Sequence, residues 1–212
     1  MSSRGIKFLW GQRFFLACLL YMAGLSYRGM TLQTGIIPAC YRSVHYWVQQ
    51  LRNITAKVET KERRFVAIDE TKQKVNGRQL FVWSAIDIET KELLAIWASY
   101  QRSSFAALVF VRMVLATCSN KPVILVDGGP WYPWALERYG LRWLHITFGE
   151  RNSIERFYRT FKERTKRFYN NINAKTGKIV CLSVFLNLFS LWYNHLRWHQ
   201  GTRQIPGGEL VI

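Results

Sequence analysis

The feature that most constrains the fold is a pair of apolar runs joined by Asn76-Gly77. Residues 64–69 (RFVAID) and 78–87 (RQLFVWSAID) are rich in β-branched and aromatic residues, which favour strands. Asn-Gly between two such runs is a strong signal for a β-hairpin, because both residues accept positive φ. A third apolar run, residues 92–99 (ELLAIWAS), follows a polar turn. The sequence therefore predicts three consecutive antiparallel strands.

Beyond the third strand, the pattern changes to alternating helices and strands. Residues 103–118 have helical apolar spacing, and Ser103 is the expected cap. Residues 122–127 (PVILVD) form a short apolar run, which is typical of a strand buried on both faces. The remaining predicted elements are a short helix 131–139, a strand 142–147, and helices 152–169 and 179–198. The order βββαβαβα, with one more helix after it, predicts an α/β fold with a ribonuclease-H-like core.

The net charge of the chain limits the kinds of binding partner to be expected. Its 212 residues include 30 Lys and Arg against 13 Asp and Glu, a net charge of +17. Such a charge favours a polyanionic partner, either nucleic acid or an anionic membrane surface. The apolar segment 14–25 has twelve residues, fewer than the roughly 20 of a membrane-spanning helix. We therefore interpret it as a buried amphipathic helix and expect no membrane contact, with a membrane-associated basic protein as an alternative.

The four cysteines are widely spaced and form no Cys-x-x-Cys pair or Cys/His cluster. This spacing argues against a zinc finger and against a dense disulfide framework. Four buried or semi-buried thiols in a reducing cytoplasm are the simplest interpretation.

Residues 1–60 differ from the rest and predict a small all-α region, with helices at 14–24, 27–33 and 40–51. In the last of these, apolar residues at positions 40, 44, 47, 48 and 51 share one face. A short helix, a turn with Gly35 and a helix with basic residues off its apolar face predict a helix-turn-helix. A plain helical hairpin packed on the next domain is the alternative. We place the domain boundary between this helix-turn-helix region with its linker, residues 1–60, and the ribonuclease-H-like domain, residues 61–212.

Acidic residues are scarce, so their positions are informative. Asp69 ends the first predicted strand and Asp127 ends the fourth. In a sheet of this order the two strands are neighbours, so both carboxylates project at one edge. Glu155 lies at the start of a basic helix that can pack across that edge. Converging carboxylates repel each other unless divalent cations lie between them, and two Mg²⁺ or Mn²⁺ ions about 4 Å apart support phosphodiester chemistry. Asp69, Asp127 and Glu155 are thus the predicted ligands of such ions.

Other acids are alternatives to two of these three. Glu70 is an alternative to its neighbour Asp69, and Glu150 or Glu163 is an alternative to the third acid. Asp87 also ends a predicted strand, but that strand runs antiparallel to the first. Its end therefore lies at the opposite edge of the sheet, and we interpret Asp87 as a turn residue.

The helix predicted at 152–169 carries a dense run of basic residues. Such a run, on the helix that also bears Glu155, would hold phosphates beside the metal ions, with an affinity that falls as salt rises. Trp131, just after Asp127, is expected either to stack on a frayed DNA base or to pack in the core. The predicted DNA contacts are Arg42, His45, Tyr46, Trp131, Arg151, Arg156, Arg159, Lys162, Arg164, Lys166 and Arg167.

The ordered set of motifs across residues 25–200 resembles the DDE transposases of insertion sequences, in the compact bacterial and archaeal group. This group pairs a short helix-turn-helix with a retroviral-integrase-like core. The matching motifs are LSYR at 25–28, YWV at 46–48, IDET at 68–71, WSAID at 83–87, VDGGPWY at 126–132, RNSIERFYRTFK at 151–162 and WYNH at 192–195. Two departures stand out. Only 27 residues separate Asp127 from Glu155, fewer than in typical members, and the C-terminal tail motif is altered.

The resemblance implies a transposase that binds terminal inverted repeats and catalyses metal-dependent cleavage and transfer of DNA strands. It also implies Asp69, Asp127 and Glu155 as the catalytic acids, double-stranded DNA as substrate and target, and a homodimer or larger assembly on DNA. The expected location is the cytoplasm, at the nucleoid. A catalytically inactive copy that only binds DNA is an alternative, as is a stand-alone nuclease of the ribonuclease H type.

Overall fold

The structure, a computed structural model, describes residues 3–50, 58–145, 152–165, 171–172 and 179–208. Its helices are α1 (Ser3–Met22), α2 (Tyr41–Gln50), α3 (Ser104–Leu115), α4 (Tyr132–Arg138), α5 (Asn152–Thr165) and α6 (Ile179–His195), with a π-helical turn at Gly29–Gln33. Its strands are β1 (Phe65–Val75), β2 (Arg78–Asp87), β3 (Leu93–Ser99), β4 (Val123–Val126), β5 (Trp143–His145) and β6 (Asn171–Ile172). The predicted order of strands and helices from β1 to α6 is confirmed, with β6 as an addition.

The strands form one mixed sheet in the order β3-β2-β1-β4-β5. Strands β1, β2 and β3 pair antiparallel, whereas β4 and β5 extend the sheet in parallel. The hairpin turn holds Asn76 and Gly77 at φ 48° and 76°, as the Asn-Gly signal predicts. The prediction that β1 ends at Asp69 is wrong, because its polar second half still pairs with β2 and, at Val75, with β6.

Helices cover both faces of the sheet. One face packs against α5 and α6, where aromatic residues such as Phe157, Phe161 and Phe189 form a buried cluster with Ala67 and Leu125. The other face packs against α3 and α4. Ser103 caps α3 by accepting a hydrogen bond from the main-chain N–H three residues on, as predicted. The sheet is thus buried on both sides, as parallel strands require.

The N-terminal helices pack on the same face as α5 and α6. Cys18, Met22 and Val48 belong to the same buried cluster as the aromatic residues of α5 and α6. The predicted stripe of α2 is buried at Val44 and Val48, but Cys40 is exposed, so the expectation of buried or semi-buried thiols is wrong there. The helix-turn-helix and the boundary after residue 60 stay predictions. In the described part of the chain, no helix is both long and apolar enough to span a membrane.

A buried ionic group lies at the end of the sheet where β1 begins. The Arg63 guanidinium contacts Asp87 at 2.9 Å and Glu92 at 2.8 Å, and all three side chains are at most 5% exposed. Asp87 also accepts hydrogen bonds from the main-chain N–H groups of Glu89 and Thr90. Its predicted role as a turn residue is confirmed, and its pairing with Val66 places Asp87 near the start of β1, before Asp69.

Candidate active site

Asp69 and Asp127 lie side by side where β4 ends. Parallel pairing aligns Ala67 with Leu125, and the same register places Asp69 level with Asp127. Ala67 and Leu125 point into the core beneath α5 and α6. Because side chains alternate along a strand, both aspartates project from that same face. The two carboxylates therefore meet at one edge, as the strand order predicts.

Glu70 adds a third carboxylate to this pair. Oxygens of Asp69, Glu70 and Asp127 all lie within 4.8 Å of one another. Three carboxylates at such distances repel one another when ionised. Oxygen donors of this kind and spacing fit a hard divalent cation such as Mg²⁺. This group, the acidic cluster, is the part of the described chain that best fits a metal ion.

Glu70 is held from the opposite face of the sheet. Its side chain is 3% exposed and contacts Arg102 at 3.4 Å. It accepts hydrogen bonds from the Tyr132 hydroxyl and from the Trp131 indole N–H, the latter at 3.3 Å. Burial raises the pKa of Glu70 above its usual value; the Tyr132 hydrogen bond opposes this shift, and the charge of Asp127 adds to it. These contacts tie the start of α4 to β1 beside the aspartates.

Glu155 approaches the acidic cluster from α5. It is exposed in the first turn of that helix and lies outside the 4.8 Å cluster. Three residues later, the buried Tyr158 hydroxyl donates to the Asp69 main-chain oxygen at 2.5 Å and accepts from the Ser84 hydroxyl at 2.5 Å. Burial, with the charge of Asp69, raises the pKa of Tyr158 well above its usual value, so the hydroxyl stays protonated. This anchor sets the distance between Glu155 and β1.

A groove of about 490 Å³ runs between the acidic cluster and α5. Its lining combines acids and bases, namely Asp69, Glu70, Thr71, Glu155, Tyr158, Arg159, Lys162 and Glu163. Arg159 pairs with Glu163 at 3.5 Å, and both side chains are more than half exposed. The groove thus places two predicted DNA-contact residues, Arg159 and Lys162, beside the predicted catalytic acids.

The other predicted contacts are divided among several places. Arg156 is exposed on α5. Arg164 packs instead over the Trp192 ring at 4.6 Å and contacts the Met22 carbonyl at 3.4 Å, away from the groove. Arg151, Lys166 and Arg167 lie outside the described residues.

In the N-terminal region, Arg42, His45 and Tyr46 are exposed along α2. Tyr46 is 62% exposed. Trp131 is half-buried between the Arg102 guanidinium, 4.0 Å from its ring centroid, and Tyr132.

Tyr158 and Arg102 are two residues of this site that the sequence did not predict. Tyr158 could have been found from helical spacing, because it follows Glu155 by three residues and so lies on a neighbouring face. No local pattern marks Arg102, whose partner Glu70 lies 32 residues earlier in the chain.

Comparison with known proteins identifies the family. Residues 64–189 match the DDE domain of IS240-type transposases. The chain belongs to this family. An uncharacterized protein of Methanocaldococcus jannaschii, MJ0017, is 40% identical over 185 residues, which span 86% of this chain and 85% of the relative. By family, the chain is a DDE-type polynucleotidyl transferase.

Curated transposases are more distant relatives of this DDE domain. The transposase of insertion sequence-like element IS431mec from Staphylococcus aureus is 27% identical over 112 residues, half of each chain. An uncharacterized protein of Aquifex aeolicus, aq_aa24, is 38% identical over 82 residues, which span 38% of this chain and 64% of that protein. The chain therefore aligns with only half the length of the curated transposases it matches.

Solved structures confirm the ribonuclease-H-like fold. The integrase catalytic core domain of HTLV-2 in complex with magnesium has a TM-score of 0.51 at 12% identity, covering 70% of this chain and 96% of the integrase. The simian T-cell lymphotropic virus intasome has a TM-score of 0.54 at 14% identity, covering 90% of this chain and 72% of that one. DDE enzymes use divalent metal ions, and the acidic cluster fits that requirement.

Proposed function

We propose that this protein is a transposase that cuts and joins DNA strands at the ends of an insertion element. Asp69, Asp127 and Glu155 are its catalytic acids and would hold two Mg²⁺ or Mn²⁺ ions. The observation that carries the proposal is the meeting of Asp69 and Asp127 on the face covered by α5, whose first turn bears Glu155.

The groove supports DNA as the substrate. Arg159 and Lys162 line it together with the acids, so a phosphate can be bound next to the carboxylates. Divalent ions held there would activate the attacking water or 3′-hydroxyl and stabilise the leaving oxygen. Tyr158 keeps β1 and α5 at a constant separation through its bond to the Asp69 main chain. Arg156 extends the basic surface along the exposed side of α5.

The N-terminal region would recognise the terminal inverted repeats. Arg42, His45 and Tyr46 share the exposed side of α2, which suits a helix that contacts base edges and phosphates. Transposition joins two DNA ends, so we propose that the protein works as a dimer or larger assembly, in the cytoplasm at the nucleoid. Trp131 is proposed to contact DNA near the cleavage site, beside the Arg102 guanidinium that lies over its ring.

The test is a strand-cleavage and joining assay. Purified protein is incubated with labelled DNA carrying the element's own ends, a target plasmid and Mn²⁺. Asp69→Asn and Asp127→Asn are each expected to lower the rate at least about 100-fold, and the double variant is expected to be no worse, because such residues act as a unit. Glu137→Gln is the matched control, since Glu137 is exposed on α4 and its substitution removes a carboxylate outside the acidic cluster.

The second candidate is a catalytically inactive copy that occupies the repeats without cutting them. The short segment between Asp127 and Glu155, and the position of Glu155 outside the 4.8 Å cluster, favour this alternative. Repeat binding with no cleavage by the wild-type protein in either Mn²⁺ or Mg²⁺ would establish it and refute the catalytic proposal.

A further inference from the structure

Arg102 lies beside the acidic cluster on the face of the sheet opposite α5. It belongs to the short connection between β3 and α3. One guanidinium nitrogen is 3.4 Å from a Glu70 carboxylate oxygen. The guanidinium carbon is 4.0 Å from the ring centroid of Trp131 and 5.5 Å from that of Phe81. This cation therefore contacts the carboxylate that lies within 4.8 Å of the two aspartates.

We propose that Arg102 binds a DNA phosphate at the edge of the acidic cluster. The DNA strand would then be held from both faces of the sheet, by Arg102 on one and by Arg159 and Lys162 on the other. The inference rests on the proposed function, because it requires DNA to cross this edge.

The geometry of Arg102 suits a phosphate better than it suits a purely structural contact. Its side chain is 37% exposed, so solvent and ligands reach it. The Glu70 contact engages one nitrogen, Nη1, whereas a guanidinium carries five N–H donors in a planar fork that matches phosphate oxygens. Stacking on an aromatic ring fixes the plane of this fork before the ligand arrives, which reduces the side-chain entropy lost on binding.

Glu70 would remain hydrogen-bonded if Arg102 turned toward a phosphate. Its other oxygen accepts from both Trp131 and Tyr132, so the link between β1 and α4 does not depend on the arginine. A phosphate that approaches three carboxylates is repelled by them, and a cation next to Glu70 offsets that repulsion. Arg102 thus acts as a substrate-positioning residue in the proposal.

The experiment measures how DNA affinity depends on salt. Binding of the wild-type protein to a duplex with the element's terminal repeat is titrated in EDTA, by fluorescence anisotropy, at several salt concentrations. Arg102→Gln is compared with Arg102→Lys, which keeps the charge, and with Arg112→Gln. Arg112 is exposed in the last turn of α3, at the opposite end of that helix, so its substitution removes the same charge away from the cluster.

We expect Arg102→Gln to lower the slope of log affinity against log salt by about 0.9, the value for one phosphate contact on duplex DNA. Between 50 and 200 mM salt, the variant would lose about 3.5-fold less affinity than the wild type. Arg102→Lys and Arg112→Gln should keep the wild-type slope. An unchanged slope for Arg102→Gln, or an equal decrease for Arg112→Gln, would overturn the proposal.

Two controls keep the result interpretable. Melting temperatures check that each variant folds, and Arg102→Met, which keeps an apolar stem against Trp131, takes the place of the Gln variant if that one unfolds. The wild-type strand-joining assay is run in parallel. If the wild type joins strands and the salt slope of Arg102→Gln is unchanged, the role of Arg102 is refuted and the catalytic proposal stands. If Arg102→Gln has a lowered salt slope and the wild type neither cleaves nor joins DNA, the role of Arg102 is supported and only the catalytic proposal is refuted.

Discussion

The Tyr158 hydroxyl links the groove to the stability of the fold, which makes Tyr158→Phe an informative substitution. The hydroxyl is buried, donates to the Asp69 carbonyl at 2.5 Å and accepts from Ser84 at 2.5 Å. Phenylalanine fills the same space but leaves both of these groups without that partner. An unsatisfied buried polar group is destabilising by about 1–3 kcal/mol, and in a domain of this size each kcal/mol lowers Tm by about 2–4 °C.

The same substitution should impair catalysis beyond its effect on stability. Glu155 lies one turn before Tyr158 on α5, so loss of the anchor lets the start of the helix move relative to Asp69. A displacement on the order of 1 Å in a catalytic group costs about 100-fold in rate. We expect a loss of that order in strand joining, measured at a temperature where the variant is fully folded.

Tyr193→Phe is the matched control for this experiment. Tyr193 is buried in the same aromatic cluster, but its hydroxyl interacts with Arg197 rather than with β1. It should show a modest stability change and a wild-type joining rate per folded molecule. Tyr158→Phe with an unchanged Tm would refute the hydrogen-bond argument. A lowered Tm with a wild-type joining rate would refute the positioning argument.

Three further predictions follow from single contacts. Arg63→Met should lower the free energy of unfolding by about 3–5 kcal/mol, because it leaves two buried carboxylates unpaired. Arg64→Met, at the exposed neighbouring residue, should change the free energy of unfolding by about 0–1 kcal/mol. Equal effects of the two substitutions in denaturant titrations would contradict this prediction. Cys40 should react with a thiol reagent long before Cys18. A hydrogen bond with Ser43 lowers the pKa of the exposed Cys40 thiol, whereas burial raises the pKa of Cys18 to about 12. Mass spectrometry of the labelled peptides checks the order. Mn²⁺ at a hundredfold excess over its Kd should stabilise the wild-type fold by about 2.7 kcal/mol, which is measured as a rise in Tm. Asp69→Asn should abolish that rise, and the same rise in both proteins would place the ions elsewhere.

Local signals in the sequence predicted most of the fold. The Asn76-Gly77 hairpin, the Ser103 cap and the apolar run of β4 each depend on residues close together in the chain. The strand order then follows from the succession of elements, and it places Asp69 next to Asp127. These predictions succeeded because turn chemistry and hydrophobic periodicity act over a few residues.

The errors of prediction occurred where long-range pairing overrides local preference. The polar second half of β1 offers little hydrophobic pattern, yet it forms a strand because β2 and β6 supply partners for its main chain. Arg164 belongs to the basic run of α5 but packs on Trp192, because its long side chain reaches an aromatic ring of α6. Helical periodicity predicts which residues share a face of a helix, but it does not predict which element of the fold packs against that face.

The sequence by itself determined the kinds of elements, their order, the strongly basic character of the chain and the identity of the two aspartates that meet at the sheet edge. Only the tertiary structure decided that Glu70 joins those aspartates, that Arg102 and Trp131 hold it from the opposite face, and that Tyr158 anchors α5 at Asp69. The physical reason is that these contacts join segments 32 to 89 residues apart. Their geometry depends on sheet register and helix packing, which no short stretch of sequence specifies.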